Sequence, residues 1–333
     1  MADSVPVQPR ISVIIPTHRR VEALAALLES LAAQTAPREE FEVLIVDDGS
    51  PEAEHAHLQA MLRERFAALP IVCWRQERAG PARARNQALQ RAAAPLVLIL
   101  NDDVTLAPDH LAAHLAAHAA VPEERVVFRG ITEWAPDTPD TPLMRWMRAT
   151  SFRYDWVLFH PVEAHFVHFT TCDLSAKRSL LVAFPFDETF DTPCGEDSEL
   201  ALRLLKAGRL EVRLLPAARS WHHHPHDFAA FRRRARMQGR AMARLLERHP
   251  ELEYRLRGGH LRLCSQPRRL ARAAKALVAR RPLEFYSNLH DWLMLREIDR
   301  HRPRPAGDGG PYPERLLSAL PPGWDPEKTG QSG

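Results

Sequence analysis

The sequence predicts an α/β fold built on a doubly wound sheet, followed by a mainly helical, arginine-rich extension. Three observations carry this. Short apolar runs recur at 11–15, 43–46, 71–74 and 96–100. Ala/Leu/Glu/Arg-rich stretches of helical length, 21–33, 52–68 and 81–93, separate them. Continuous apolar strands alternating with helices are the signature of a parallel sheet covered on both faces. The third observation is that three of the four runs end in a polar cluster, as ligand-binding sheets of this kind do at their carboxyl edge.

Taken in order, the first run, "ISVII", ends at Pro16-Thr17-His18-Arg19, and the second, "VLIV", ends at Asp47-Asp48-Gly49-Ser50. The third, "IVCW", leads into the helix expected over 81–93. The fourth, "LVLIL", ends at Asn101-Asp102-Asp103. From 121 to 194 the pattern is less regular, with Trp134, Trp146 and Trp156, and loops, short strands and an aromatic groove are expected. These indoles suit either a sugar-stacking groove or core packing, with core the commoner use. Residues 194–210 then read as a helix that carries Glu196, Asp197 and Glu199 in its first turn and stops at Gly208, with a strand over 210–215 after it. Residues 227–300 read as helical, broken at Pro250, Gly258-Gly259 and Pro267, and the end of the chain is rich in Pro and Gly. The expected domains are 1–226 for the sheet, 227–302 for the basic helical extension and 303–333 for the tail.

Composition bounds the function classes. Of 333 residues, 45% are hydrophobic and 26% charged, which places most of the chain in a folded core. The four cysteines, Cys73, Cys172, Cys194 and Cys264, form no CxxC pair, so neither a zinc ribbon nor a disulfide framework is indicated and a reducing cytoplasm is expected. No apolar run approaches the roughly 18 residues of a membrane span. Net charge is only +3, yet residues 232–281 hold sixteen Lys/Arg against three Glu. That segment invites an anionic partner: donor phosphates, a phosphorylated or lipid-linked acceptor, or an anionic membrane surface at the inner face. Nucleic acid is disfavoured among these, and a compositional habit of the whole chain stays open as the alternative.

Asp47-Asp48-Gly49-Ser50 alone is equally a turn, since Asp and Gly suit such positions. Asn101-Asp102-Asp103 weighs differently, because adjacent carboxylates repel unless a cation or donor offsets them. Hard oxygen ligands at a strand end suit Mg²⁺ or Mn²⁺, which usually share one or two carboxylates with substrate phosphates. The stretch "SWHHHPHDF" offers His222, His223, His224, His226 and Asp227, but no second ligand pair at zinc spacing.

The stretches "ISVIIPTHRR", "VLIVDDGS", "RAGPARARNQAL", "LVLILNDDVTL", "CDLSAKRSLL" and "CGEDSELALRL", in that order, resemble the family 2 glycosyltransferases, inverting enzymes of the GT-A (Rossmann-like) fold with a mixed sheet. The resemblance covers about residues 10–225. It implies a nucleotide-diphosphate-sugar donor, uridine type favoured, and a glycan, lipid-linked or small-molecule acceptor. Pro16, Thr17, His18 and Arg19 would line the base and ribose pocket, and Asp48 would accept a hydrogen bond from a uracil-type base, or Asp47 and Asp48 would share that role. Arg85 and Asn86 match the loop and helix start that touch base, ribose or phosphate; a solvated helix face is the alternative.

Asn101, Asp102 and Asp103 stand at the family's DxD position, with Asn where the first Asp commonly stands. That implies Asp103 as ligand to Mn²⁺ or Mg²⁺ and Asp102 as a helper. Glu196-Asp197 resembles the family's ED motif, which implies Asp197 as the general base that takes the acceptor proton and Glu196 as its orienting partner. His222 fits the histidine that closes over the diphosphate or joins the metal; the other histidines are expected on the loop surface. Asp173 would contact the sugar, with a helix N-cap as the equal alternative. The competing class is a catalytically inactive member of the fold that only holds a nucleotide sugar or glycan. A dinucleotide oxidoreductase is disfavoured, since no G-x-G-x-x-G follows the first strand.

Overall fold

A computed structural model describes residues 8–151, 168–224, 227–250, 276 and 282–301. The four runs read from the sequence form β1 (Ile11–Thr17), β2 (Phe41–Asp48), β3 (Ile71–Gln76) and β4 (Leu96–Leu100). Four further strands follow: β5 (Val104–Leu106), β6 (Val126–Trp134), β7 (Asp173–Lys177) and β8 (Glu211–His222). Together they make one sheet in the order β3-β2-β1-β4-β7-β6-β8-β5. β3, β2, β1 and β4 are parallel; β7 runs antiparallel to both β4 and β6; β8 is parallel to β6, and β5 antiparallel to β8. The sheet is therefore mixed. The region expected to be irregular, 121–194, supplies two of its central strands.

Among the described residues the helices are α1 (Val21–Ala32), α2 (Glu52–Arg65), α3 (Pro81–Arg91), α4 (His110–Ala120), α5 (Pro142–Thr150), α6 (Arg178–Ala183), α7 (Glu196–Lys206), α8 (Phe228–Arg248) and α9 (Pro282–His301). Alternate residues of each inner strand enter different cores. Ile11, Val13 and Ile15 of β1, with Val43 and Ile45 of β2, pack under α1, α2 and α4. Ile14, Leu44, Val46, Val97 and Ile99 pack under α3, α6 and α7 on the other face. Each fully buried aliphatic side chain contributes roughly 1.5–3 kcal/mol, so these strands are held from both sides and their ends are fixed in space.

Two local features aim the site. β5 pairs Val104 with His222 and Leu106 with Ser220, which draws Asp103 beside the end of β8. Between Gly130 and Ile131 the β6–β8 register jumps from Leu215 to Arg219, a bulge that lets β8 continue toward β5. α8 and α9 lie against α5 through Trp146, Phe231, Ala235 and Leu293. Within the expected extension, α8 and α9 are helical, while 251–275, 277–281 and the expected 303–333 tail fall outside the described residues. Among the described residues no helix is long and apolar enough to cross a membrane.

Candidate active site

The carboxyl ends of β1, β2 and β4, the last residues of β8 and one face of α8 surround a cavity of about 720 Å³. Pro16, Thr17, His18, Asp48, Arg85, Asn101, Asp102, Asp103 and His222, all expected there, line it. Arg19, Asp47, Asn86, Asp173, Glu196 and Asp197 are not among its lining residues, and Arg85, which is, binds Glu196.

Asp102 and Asp103 are both buried. Thr17 Oγ1 donates to Asp102 Oδ2 at 2.7 Å, and Arg20 Nη1 donates to Asp102 Oδ1 at 3.2 Å and to Asp103 Oδ2 at 2.5 Å. Arg20 is the cation that offsets this carboxylate pair. Nothing in its sequence spacing marked it, because in "THRR" it reads as a loop arginine. His224 Nδ1 lies 2.9 Å from Asp103 Oδ2 and His222 Nε2 3.3 Å from Asp103 Oδ1. His224, expected on the loop surface, is thus in the site; β5–β8 pairing brings it there, a long-range contact that local sequence does not reveal.

The electrostatics of the pair divide. Burial and the neighbouring Asp103 charge push Asp102 up to about 6. Burial also opposes the charge on Asp103, but the hydrogen bond from His224, the charge of Arg20 and, in acid where it is protonated, that of His222 win, holding it well below the ordinary carboxylate range. Burial pushes His222 down to about 4, so at neutral pH its imidazole is uncharged. Asp103 Oδ1 accepts no hydrogen bond although it is buried. An anionic oxygen without a donor, beside neutral imidazole nitrogen, is a donor set that fits Mn²⁺ or Mg²⁺.

The base-side rim is preorganised. Asp48 takes hydrogen bonds from Gln76 Nε2 at 2.8 Å, from the Ala79 N–H at 2.8 Å and from the Gly80 N–H at 2.9 Å. Its carbonyl oxygen lies 2.9 Å from His18 Nδ1. Asp47 corrects the expectation of base contact: it is fully buried, bound by the Ser50 N–H at 3.0 Å and by His55 Nδ1 at 2.7 Å. It shapes the turn that carries Asp48. Arg19 likewise points away, its Nε 3.1 Å from Glu54 Oε1, at a left-handed φ of 57°.

At the opposite rim, Arg85 Nη1 donates to Glu196 Oε1 at 2.6 Å, both side chains buried, and Glu196 Oε2 accepts no hydrogen bond. Burial raises both carboxyls of this helix start above their usual range, although Arg85 opposes the shift of each. Asp197 Oδ1 accepts the Ser198 N–H at 2.7 Å. Asn86 is displaced from the expected set: its Nδ2 donates to the Phe186 carbonyl at 2.9 Å and its Oδ1 accepts the Phe186 N–H at 2.9 Å, tying α3 to the loop before α7.

Asp173 is the clearest correction. It opens β7 rather than capping a helix; Lys177 stands at the start of α6. Its side chain is fully buried behind the cavity, taking a hydrogen bond from Ser220 Oγ at 2.7 Å with His110 Nε2 3.2 Å away. Trp146 belongs to the helical core, whereas Trp134 meets His222 edge-on with ring centroids 5.2 Å apart. Trp156 and His226 lie outside the described residues, and Asp227 caps α8 by accepting the Ala230 N–H. Arg233, Arg234, Arg236 and Arg240 of α8 face the cavity, while Arg244 binds Asp191. The arginine-rich segment is thereby explained in part as a basic wall of the site.

The family model for Glycosyl transferase family 2 matches residues 12–187. Validoxylamine A glucosyltransferase of Streptomyces hygroscopicus subsp. jinggangensis is 30% identical over 246 residues, 64% of this chain and 54% of that protein. The chain thus spans about half the length of this curated relative. Among solved structures, mannosyltransferase PcManGT of Pyrobaculum calidifontis, in complex with GDP-Man and Mn²⁺, superposes with a TM-score of 0.60 at 19% identity, covering 91% of each chain. Staphylococcus aureus TarS 1–349 in complex with UDP-GlcNAc gives 0.50 at 18% identity, covering 87% of this chain and 90% of that one. These likenesses are of fold.

Proposed function

The chain belongs to glycosyl transferase family 2, and from that premise we propose that it moves a sugar from a nucleoside-diphosphate sugar to an acceptor hydroxyl by a single inverting displacement. The observation that carries this reading is Asp103: a buried, strongly acidic carboxylate with one oxygen free of hydrogen bonds, flanked by His222 and His224 at the edge of a cavity large enough for a nucleotide sugar. The protein likened to it in fold that binds GDP-Man and Mn²⁺ supports the same class of donor and metal.

The roles divide around the cavity. Pro16, Thr17, His18 and the Asp48 turn hold base and ribose, a uridine-type base being favoured. Asp103 and His222 hold Mn²⁺ or Mg²⁺, which when bound supplies Lewis-acid stabilisation of the departing diphosphate. Arg20, Arg233, Arg234 and Arg240 add fixed positive charge where the leaving group gains negative charge. Asp197 accepts the acceptor proton. A positioned general base contributes typically 10²–10⁴-fold, and a carboxyl held above its ordinary range is a better one, because its proton affinity is closer to the working pH. Glu196, oriented by Arg85, fixes the helix start that presents it.

The acceptor is a glycan, lipid-linked or small-molecule hydroxyl, and a cytoplasmic reaction is the fitting compartment. The α8 arginines that face the cavity favour use of this helix on donor or acceptor anions over a membrane surface. The test is a donor panel with Mn²⁺: slow hydrolysis or transfer is expected from the intact protein, absent in Asp103→Ala, and donor binding without transfer in Asp197→Asn. Intact protein that binds donors and turns none over with any acceptor would establish a binding scaffold instead.

A further inference from the structure

Behind the active-site wall, α4 and β7 face each other through an unusual polar seam. Leu111 and Leu115 of α4 join the hydrophobic core, but the next row of the helix is His110, His114 and His118, spaced four residues apart and all buried. On β7, Leu174 and Ala176 enter the opposite core, which turns Asp173, Ser175 and Lys177 toward these histidines.

From this seam we propose a second cation site, built for Zn²⁺ by His110 Nε2, His114 Nε2 and Asp173 Oδ1. One ligand atom from each of the three residues lies within 4.8 Å of the others. Asp173 Oδ1 stands 3.2 Å from His110 Nε2 and 3.4 Å from His114 Nε2. Zinc bonds of about 2.0–2.1 Å at tetrahedral angles separate neighbouring donors by about 3.3 Å, which the two carboxylate–imidazole spacings match.

The outward side of each ligand is also prepared. Metal-bound histidines commonly anchor their second ring nitrogen on a carbonyl or other polar group, and ligating carboxylates are themselves hydrogen-bonded. Here His110 Nδ1 lies 3.0 Å from the Arg219 carbonyl, His114 Nδ1 2.7 Å from Ser175 Oγ, and Asp173 Oδ2 accepts from Ser220 Oγ at 2.7 Å. Every anchoring group is thus in place, and His114 Nε2, fully buried, faces Asp173 Oδ1 at 3.4 Å.

Gly130 fits the same design: a Cβ there would stand 2.2 Å from Asp173 Oδ2, so glycine clears the carboxylate's place. None of the three ligands lines the catalytic cavity. Ser220 and His222 are two residues apart on β8, so an ion here would brace, from behind, the strand that carries His222. Because the site has no exposed side chain, loading would accompany folding. With three protein ligands, a water would complete the tetrahedron, and the site does not depend on the donor or acceptor proposed above.

The full chain, purified without chelator or added metal, is expected to carry close to one zinc per molecule by elemental analysis. That zinc should persist in Asp103→Ala and fall below a tenth in His114→Gln. Refolding in Co²⁺ should give the visible absorption bands of a tetrahedral site, in the intact chain and in Asp103→Ala alike, a readout that stands even where His114→Gln does not fold. Folded chain free of zinc, showing neither a melting shift after refolding with Zn²⁺ nor cobalt bands, would overturn the site. Zinc lost from Asp103→Ala but kept in His114→Gln would overturn it equally.

Discussion

Arg20 Nη1 lies 2.5 Å from Asp103 Oδ2, so the carboxylate proposed to bind metal already has a cation from its own chain. Asn101, standing where the family more often has Asp, leaves two carboxylates there, and one arginine spans both. The site is thus held together before any metal arrives, and a divalent ion competes or shares with Arg20 rather than filling an unbalanced acidic pair.

Arg20→Ala is therefore expected to lose stability in chelator and recover it in Mn²⁺. Breaking a buried pair costs about 3–5 kcal/mol, but Arg20 is 39% exposed, so solvent screening reduces this to about 1–2 kcal/mol. Melting curves with and without Mn²⁺ read the effect. Equal melting of variant and parent in chelator would show that Arg20 does not balance the pair.

The pH dependence of transfer tests Asp197. Burial raises its carboxyl above the ordinary range, against the lowering effect of Arg85. Only the ionised form accepts a proton, so the rate should rise with pH along a limb whose midpoint lies above the ordinary Asp value of about 3.9. Arg85→Gln removes the opposing charge and should move the limb further up. For stability the sign is reversed: a carboxyl with a raised folded pKa holds more protons folded than unfolded, so stability falls as pH climbs from the ordinary to the raised value. A limb that survives in Asp197→Asn would assign it to another group.

Arg85 and Glu196 also form a buried pair at 2.6 Å, 4% exposed on each side. Removing either partner alone leaves the other charge uncompensated, at a cost of about 3–5 kcal/mol. Arg85→Met with Glu196→Gln should cost much less than the sum of the single changes. Additive losses in urea unfolding would mean that the two do not act as a unit.

How much of this was legible in the chain follows from the range of each interaction. The apolar runs of β1, β2 and β4 are buried on both faces, and burial on both faces leaves a local imprint. The strand ends carrying Thr17, Asp48 and Asp103 followed from them. Short strands were expected between 121 and 194, but β6 and β7 could not be located there, because Arg129, Asp173 and Ser175 break the apolar pattern to build a buried polar cluster. Asp173 looked like a cap for the same reason. Arg20 and His224 reach Asp103 from 83 and 121 residues away in sequence, which no local spacing encodes. The His110, His114 and His118 row had a signal, the repeat of four in "HLAAHLAAHAA", but it reads as an ordinary helix until a strand with facing acceptors is known.

Gly80 links the backbone to donor recognition. Its φ of +90° lies in the left-handed region, and a Cβ there would come within 2.5 Å of the Asp191 carbonyl oxygen. Its N–H also donates to Asp48, the residue at the base-side rim. Gly80→Ala must therefore shift either the Asp191 loop or the turn that holds Asp48, with strain of about 1–3 kcal/mol. Gly208 is the control: its φ is +66°, but an added Cβ meets nothing within 4 Å. Gly208→Ala should cost only the conformational penalty, about 1 kcal/mol, and leave donor binding unchanged. Gly80→Ala should weaken donor binding at least tenfold, measured by calorimetry on folded protein. Equal donor affinity in the two variants would detach the Gly80 turn from recognition and leave it a purely structural bend.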